Sequence, residues 1–461
     1  MKKLYRFSAI ALLVLPLVFT SCSDYLDRDD DDNITEADVF ARYEKVNGLV
    51  SDVYAAAKKA DRPLVFFEHF SNSAITDECE GTNVEGNITN NFNNGAWNPN
   101  SLPGSVGQYW EALYEGIRKA NLIIENVQKY NTPDNPQQDG DLRNRIGEMY
   151  FMRGYFHMLL LRMYGEAPYI DRVINAGDNM DFKKESVHSM VEKIVTDAQT
   201  AYGMVPNKYV KTSENFGRVD KGACLGLISF VRWVAATPLW NGASQYGYNL
   251  RRVFENEYAY DATRWRKAKE AAKAVLDFEV GGTKRYSLYT KHDANDFKDP
   301  ADGNLNDSRV YARLWDMFYD MDAFANEYVF FMTKSKDQAW QGDIYPPSRE
   351  GSSRQQPVQE QVDEYEYIVG DYGYPVYSAE ARKGGYDDTN PYVKGTRDPR
   401  FYRDVIYHGA PYRNNKNESK TINTASGSDK IGATNATTTG YYLRKFQQES
   451  WNKSGNFSIN A

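Results

Sequence analysis

Trp97 stands in "NITNNFNNGAWNPNSLPGS", residues 87–105, among asparagine, glycine and proline and with no apolar period around it. An indole face can lie against the apolar face of a sugar ring, while nearby amides and carboxylates satisfy hydroxyls that desolvation would leave unpaired. Trp97 and Asn100 are therefore candidates for stacking on, and hydrogen bonding to, a saccharide. The competing reading is that Trp97 covers a small apolar cluster under a long loop. Asp77 and Glu80, in the loop ahead, are candidate acceptors for sugar hydroxyls. Trp340 and Tyr345 follow "NEYVFFMTKSKD" in a loop bearing Gly and Pro and offer a second aromatic surface, with Tyr289 as a further candidate. Trp110 and Trp315 differ, because each lies in a stretch of helical spacing and is expected in a core.

Catalytic chemistry finds less support. A glycosidase needs two carboxylates at a set separation, and neighbours such as "DECE" or "DEYEY" among 63 acidic residues do not establish one. His69, His157, His188, His292 and His408 are scattered, with no HExxH or GxSxG spacing and no phosphate-cradling glycine loop. His157 falls inside an apolar helix and reads as a core residue. "DGNLND", residues 302–307, lacks the glycine and closing glutamate of an EF-hand and reads as a turn. No metal and no cofactor are expected. Arg397, Asp398 and Arg400, within residues 390–401, read as structural: turns set by Asn-Pro and Asp-Pro, with arginines satisfying buried carbonyls or pairing with carboxylates.

The thiols point to location rather than reaction. Lys2, Lys3 and Arg6 precede an apolar run from Ala9 to Phe19, about a dozen residues, right for a secretory signal and too short to span a membrane. Two cleavages compete: before Cys22, with lipid on that cysteine, or after Ser23. Bulky Phe19 suits a lipobox better than an ordinary signal site, so residues 1–21 are read as a lipoprotein signal peptide and Cys22 as the lipidation site. Residues 22–34 form an acidic tether. Cys79 and Cys224 are too few for a disulfide framework; they could pair with each other, but with one possible pair and no spacing signature free, partly buried thiols are expected. A net charge of −8 carries no basic footprint, so nucleic acid is not an expected partner.

The elements that would position these residues are mostly helical. Thr35 and Asp38 resemble a capping box ahead of Val39, Tyr43, Val46, Val50, Val53 and Tyr54. Helices follow over 105–130, 142–164 (apolar on most sides, hence buried), 187–202, 221–236 and 263–278. Gly165 and Pro168 end the third. Gly154, Gly222 and Gly226, inside helices, are expected to mark close helix–helix approach. From about residue 281 the texture is that of loops, with short strands expected over 327–332 and 440–446. The reading is mainly α: a tetratricopeptide-like helical-repeat region over 35–280 and a loop-rich second lobe with short strands over 281–461.

"CSDYLD", "YWEALYEGIRKANLIIENV", "MYFMRGYFHMLLLRMYGEAPYI", "NPYVKGTRDPRF" and "GYYLRKF", in that order over nearly the whole chain, resemble the SusD/RagB family of outer-membrane glycan-binding lipoproteins, which are starch-binding-protein-like. The resemblance implies a lipid-anchored, cell-surface protein that binds oligosaccharide, or peptide in some members. It also implies a partner, a SusC-like TonB-dependent transporter to which ligand is delivered. An acidic stretch after Cys22 resembles a signal for the outward face of the outer membrane. Trp97 and Asn100 resemble a binding pair of some members, and the family often draws its other aromatic wall from the Trp340–Tyr345 region. Members usually carry further helices after the strand resembling "GYYLRKF", so a C-terminally truncated member is implied. The leading function is non-catalytic glycan capture, with a surface glycoside hydrolase and a helical-repeat protein-binding adaptor as alternatives.

Overall fold

The structure, a computed structural model, describes residues 35–65, 72–81, 88–98, 100, 104–130, 136–209, 215–242, 254–290, 317, 326–331, 342–393, 395–413 and 419–445. Cys22, Trp315 and Trp340 lie outside these residues. Among the described helices none is long and apolar enough to cross a membrane.

The first half is a helical array. α1 (Glu36–Phe40) starts on Thr35, whose Oγ1 accepts from the Asp38 amide at 3.2 Å while the Asp38 carboxylate accepts from the Thr35 amide at 3.0 Å. The helical period beyond it is broken at Ala41 and Arg42, so α2 (Tyr43–Val65) is a separate helix rather than a continuation. α3 (Ile88–Asn93) is short; α4 (Gly104–Tyr130) and α5 (Pro136–Tyr164) are long. Gly165, at φ 71°, closes α5 in the left-handed conformation. α6 (Val187–Met204), α7 (Lys221–Ala236) and α8 (Ala262–Asp277) are capped by Ser186, Asp220 and Asp261, each accepting from a backbone amide of the first turn. Each long helix packs chiefly on its neighbour in sequence, with α2 against both α4 and α5.

One apolar core runs through α1, α2 and α4–α7, with Leu113, Ile117, Met149, Phe156 and Ile194 almost wholly buried. Gly116 marks the tightest helix–helix seam, because a Cβ there would stand 2.5 Å from the buried Phe156 ring. Gly116→Val is expected to lower stability by about 1–3 kcal/mol, the usual range for overpacking a close-packed interior, read as a shifted denaturation midpoint. An unchanged midpoint would mean that the α4–α5 seam relaxes. Gly154 likewise sits against Ile194 and Asp197 of α6. Gly222 and Gly226 differ from expectation: the groups over them are Tyr286 and Val329, outside the helices. These glycines let loops of the second half settle onto α7.

Polar residues on α5 are buried as well. Glu148, 0% exposed, accepts from Arg145 at 2.5 Å, Arg218 at 2.8 Å, Tyr209 at 2.7 Å and Tyr54 at 3.0 Å. Arg153 grips Asp197 through Nε at 2.8 Å and Nη2 at 2.5 Å, and Nη1 reaches the Asn121 side chain and the Asp171 carbonyl, both at 2.9 Å. α4, α5, α6 and the extended chain after Gly165 meet at this arginine.

The strands are short paired ribbons of two or three residues each, most of them in the second half, with one joining the two halves. β1 (Cys79–Gly81) pairs antiparallel with β4 (Gln355–Pro357), setting Glu80 opposite Gln356. β2 (Glu279–Val280) pairs with β3 (Thr283–Lys284), β5 (Tyr367–Val369) with β6 (Tyr372–Tyr374), β7 (Val405–Ile406) with β10 (Tyr442–Leu443), and β8 (Pro411–Arg413) with β9 (Ser419–Thr421). The strand expected over 440–446 is thus two residues long. The one expected over 327–332 is not formed at residues 327–331. Val329 meets α7 at Gly226 and the adjacent Phe330 packs on Phe151 and Tyr155 of α5, so consecutive side chains turn toward the helices where a strand would alternate them. The short helices α9 (Gln359–Asp363), α10 (Ala379–Lys383) and α11 (Pro399–Asp404) complete this half.

Arg397 is 2% exposed, donates to the carbonyls of Val362 at 2.6 Å and Tyr365 at 2.7 Å, and lies over the Phe401 ring. Asp398 caps α11 and accepts from Arg400. This block is structural, as its composition suggested.

Candidate functional site

Trp97 stands beyond the end of α3 and is half-buried. It packs on a small cluster made by Ala74, Cys79 and Val106, joined by Ile75 and by Met163 and Tyr164 at the end of α5. The Tyr164 hydroxyl fixes this floor by donating to the Val106 carbonyl at 2.5 Å, and the Trp110 ring meets Tyr164 edge to face, a structural role on the α4 face. The Asn93 side-chain amide ties α3 to the 3-10 turn Asn72–Ile75 through the Ala74 carbonyl at 3.1 Å. So the segments carrying Trp97 and Asp77/Glu80 are held together across their separation in sequence. Both readings of Trp97 meet in this geometry: part of the indole roofs a satellite cluster, and part faces outward.

The outward part is not alone. Phe92 on α3 is 40% exposed, and its ring meets Trp97 edge to face, with centroids 5.0 Å apart and planes at 89°. The two rings make an open aromatic corner. Phe92 was not legible as a site residue, since one aromatic in an Asn-rich run looks no different from a buried one; its exposure is what marks it. Asn100 is exposed, its backbone amide donating to the Asn98 side chain at 2.9 Å. Asp77 is exposed and Glu80 half-buried on β1, where burial raises the Glu80 carboxyl above its ordinary value.

The other expected aromatic wall is not built from Tyr345 or Tyr289. Tyr345 is 0% exposed and belongs to a core with Ile406, Tyr412, Ile422 and Tyr442, the Arg349 guanidinium lying 5.0 Å from its ring. The loop after it folds back on it: Gly351 and Ser353 donate to the carbonyls of Pro346 and Tyr345, and Gly351 has no side chain to prevent the approach. Tyr289 is 7% exposed, its amide donating to the Glu327 carboxylate at 2.6 Å. Neither ring offers a face to a ligand in this arrangement. Cys79 and Cys224 are free and buried, with both thiols pushed up by desolvation, Cys79 to about 12. Among the described residues no three His, Cys, Asp or Glu come together as metal ligands.

Residues 24–231 match a family profile described as starch-binding and associating with the outer membrane, and residues 320–459 match the SusD family profile. The chain belongs to the SusD/RagB family. It is 24% identical over 202 residues to the SusD-like protein P2 of Formosa agariphila, a match covering 43% of this chain and 38% of that relative. A crystal structure of a SusD-like protein from Bacteroides fragilis superposes with a TM-score of 0.65 at 18% identity, covering 94% of this chain and 74% of that one. A SusD-like carbohydrate-binding protein from the same species gives 0.63 at 14%, covering 92% and 71%. A laminarin-binding SusD-like protein gives 0.51 at 15%, covering 90% and 76%. At these identities the superpositions show the fold, a mainly helical SusD-like one. The family binds glycans and associates with the outer membrane, and among the described residues the Phe92–Trp97 corner is one of several exposed aromatic features.

Proposed function

We propose that this SusD/RagB protein captures glycan at the cell surface without cleaving it and delivers it to a SusC-like TonB-dependent transporter, anchored in the outer membrane by lipid on Cys22. The observation carrying this reading is the Phe92–Trp97 corner, two perpendicular rings in an amide-rich segment, Phe92 exposed and Trp97 half-buried. A pyranose face stacks on the indole while its edge meets the second ring, and Asn100, Asp77 and Glu80 hydrogen-bond to its hydroxyls. The laminarin-binding relative supports a neutral glucan as a first ligand to try.

Calorimetric titration against a panel of plant, host and microbial glycans tests this. Trp97→Ala is expected to weaken the best ligand at least ~10-fold and Phe92→Ala by less, because Trp97 has the larger ring face. Product formation from any panel member would replace the capture reading with the hydrolase one, and no binding across the panel would favour the protein-binding adaptor. Cys22→Ala is the matching test of the anchor: a variant that still partitioned into detergent and incorporated palmitate would remove it.

A further inference from the structure

α6, α7 and the start of α8 leave an open cleft of about 200 Å³ between them, walled by His188 and Glu192, by Arg232, and by Asp261, Arg264 and Lys267. That is smaller than the roughly 300–1,000 Å³ of pockets for drug-sized ligands and suits one small molecule. Charge is unevenly shared inside it. Glu192 is bound by both terminal nitrogens of Arg232 and by the Lys267 ammonium at 3.1 Å, so one carboxylate serves two cations. The oxygens of Asp261 are occupied by the Thr263 amide and hydroxyl, both at 2.8 Å, in capping α8.

Arg264 has no carboxylate in contact among the described residues. Its Nη1 donates to the Asn241 side-chain oxygen at 2.8 Å and the Ala259 carbonyl at 2.6 Å, and Nη2 to the Glu257 carbonyl at 2.9 Å. A guanidinium has five N–H donors. The Nε hydrogen and one on Nη2 therefore have no partner among the described residues, which leaves the guanidinium with donors for a carboxylate. Lys267 lies three residues on, on the same side of α8. His188 supplies the complementary group. Its Nε2 lies 2.9 Å from the Trp240 carbonyl, which can only accept, so Nε2 carries the hydrogen and Nδ1 is left as an acceptor. Burial, with Arg264 nearby, lowers this imidazole to about 4 and keeps it neutral. Val191 and Ala235 provide an apolar patch beside it.

We propose that this cleft binds a single uronic acid residue, its carboxylate held between Arg264 and Lys267 and a ring hydroxyl donated to His188 Nδ1. The acceptor and the apolar patch select a sugar acid over a bare anion, and the site is separate from the Trp97 surface.

The test is titration of the full chain with D-glucuronate, glucose and acetate. Glucuronate is expected to bind at least ~10-fold more tightly than either other probe, with Arg264→Leu weakening it at least ~10-fold and Trp97→Ala leaving it unchanged. Since Arg264 also ties down the start of α8, Lys267→Met, at an exposed position, is the companion variant, with an expected several-fold loss and an unaltered melt. The proposal is overturned if glucose or acetate binds as well as glucuronate, if Lys267→Met has no effect, or if Trp97→Ala abolishes glucuronate binding. It also fails if a peptide with a free C-terminus binds more tightly than glucuronate.

Discussion

Arg153→Met is expected to destabilise the helical half by about 3–5 kcal/mol, the range found when one member of a buried ion pair is removed. Arg153 and Asp197 are 6% and 4% exposed. Removing the guanidinium strands the Asp197 carboxylate with, among the described residues, only the Tyr169 hydroxyl, which donates at 2.6 Å, to compensate it. It also deprives the Asp171 carbonyl and the Asn121 side-chain oxygen of their donor. Asn121 in turn donates to the carbonyls of Ile170 and Arg172, so the extended chain after α5 loses its register against α4 as well. An exposed pair would register within about 1 kcal/mol, and a loss that small in denaturant unfolding would show that water reaches the site. The companion Arg153→Met/Asp197→Leu is expected to recover much of the loss, because replacing both charges with apolar groups removes the unpaired carboxylate.

The long helices were legible because their determinants are local. Ser186, Asp220 and Asp261 cap where a side-chain oxygen precedes an apolar period, and Gly165 ends α5 where a left-handed residue is needed. The block around Arg397 was legible for the same reason, its turn residues and arginines carrying their role in their chemistry. What escaped depends on contacts between distant segments. Gly222 and Gly226 announced a close approach, but nothing local says that the visitors are Tyr286 and Val329 and not a helix. Tyr345 sits in a run that reads as a loop, and it is buried by the fold-back of 346–353 together with the distant Ile406, Tyr412, Ile422 and Tyr442. Within the candidate site Trp97 was visible from its unusual setting, while Phe92 needed the α3 geometry that turns it outward beside the indole. The α6–α8 cleft could not be read in advance, since Arg264 becomes notable only when its partners prove to be neutral oxygens.

His157 is expected to make the protein acid-sensitive in a definite window. It is wholly buried, stacked 3.7 Å from Tyr169; Nδ1 lies 2.8 Å from the Arg153 carbonyl, and Nε2 accepts from the Ile170 amide at 3.0 Å. Both ring nitrogens are thus used by the neutral tautomer with hydrogen on Nδ1, and a second proton would displace the Ile170 amide and meet Arg153. Desolvation, opposed by the Arg153 carbonyl, lowers its pKa to about 3 from 6.5. A depressed folded-state value means that the unfolded chain binds the proton first. The contribution to stability is therefore complete above about pH 6.5 and is lost as pH falls toward 3, at up to about 1.4 kcal/mol per pH unit. Unfolding free energies measured from pH 7 to 4 should fall more steeply for the wild-type chain than for His157→Gln, which has no titrating ring, by nearly one proton's worth of slope between pH 6 and 4. Equal slopes would mean that the ring is charged in the folded protein, and the Ile170 amide could then not be donating to it.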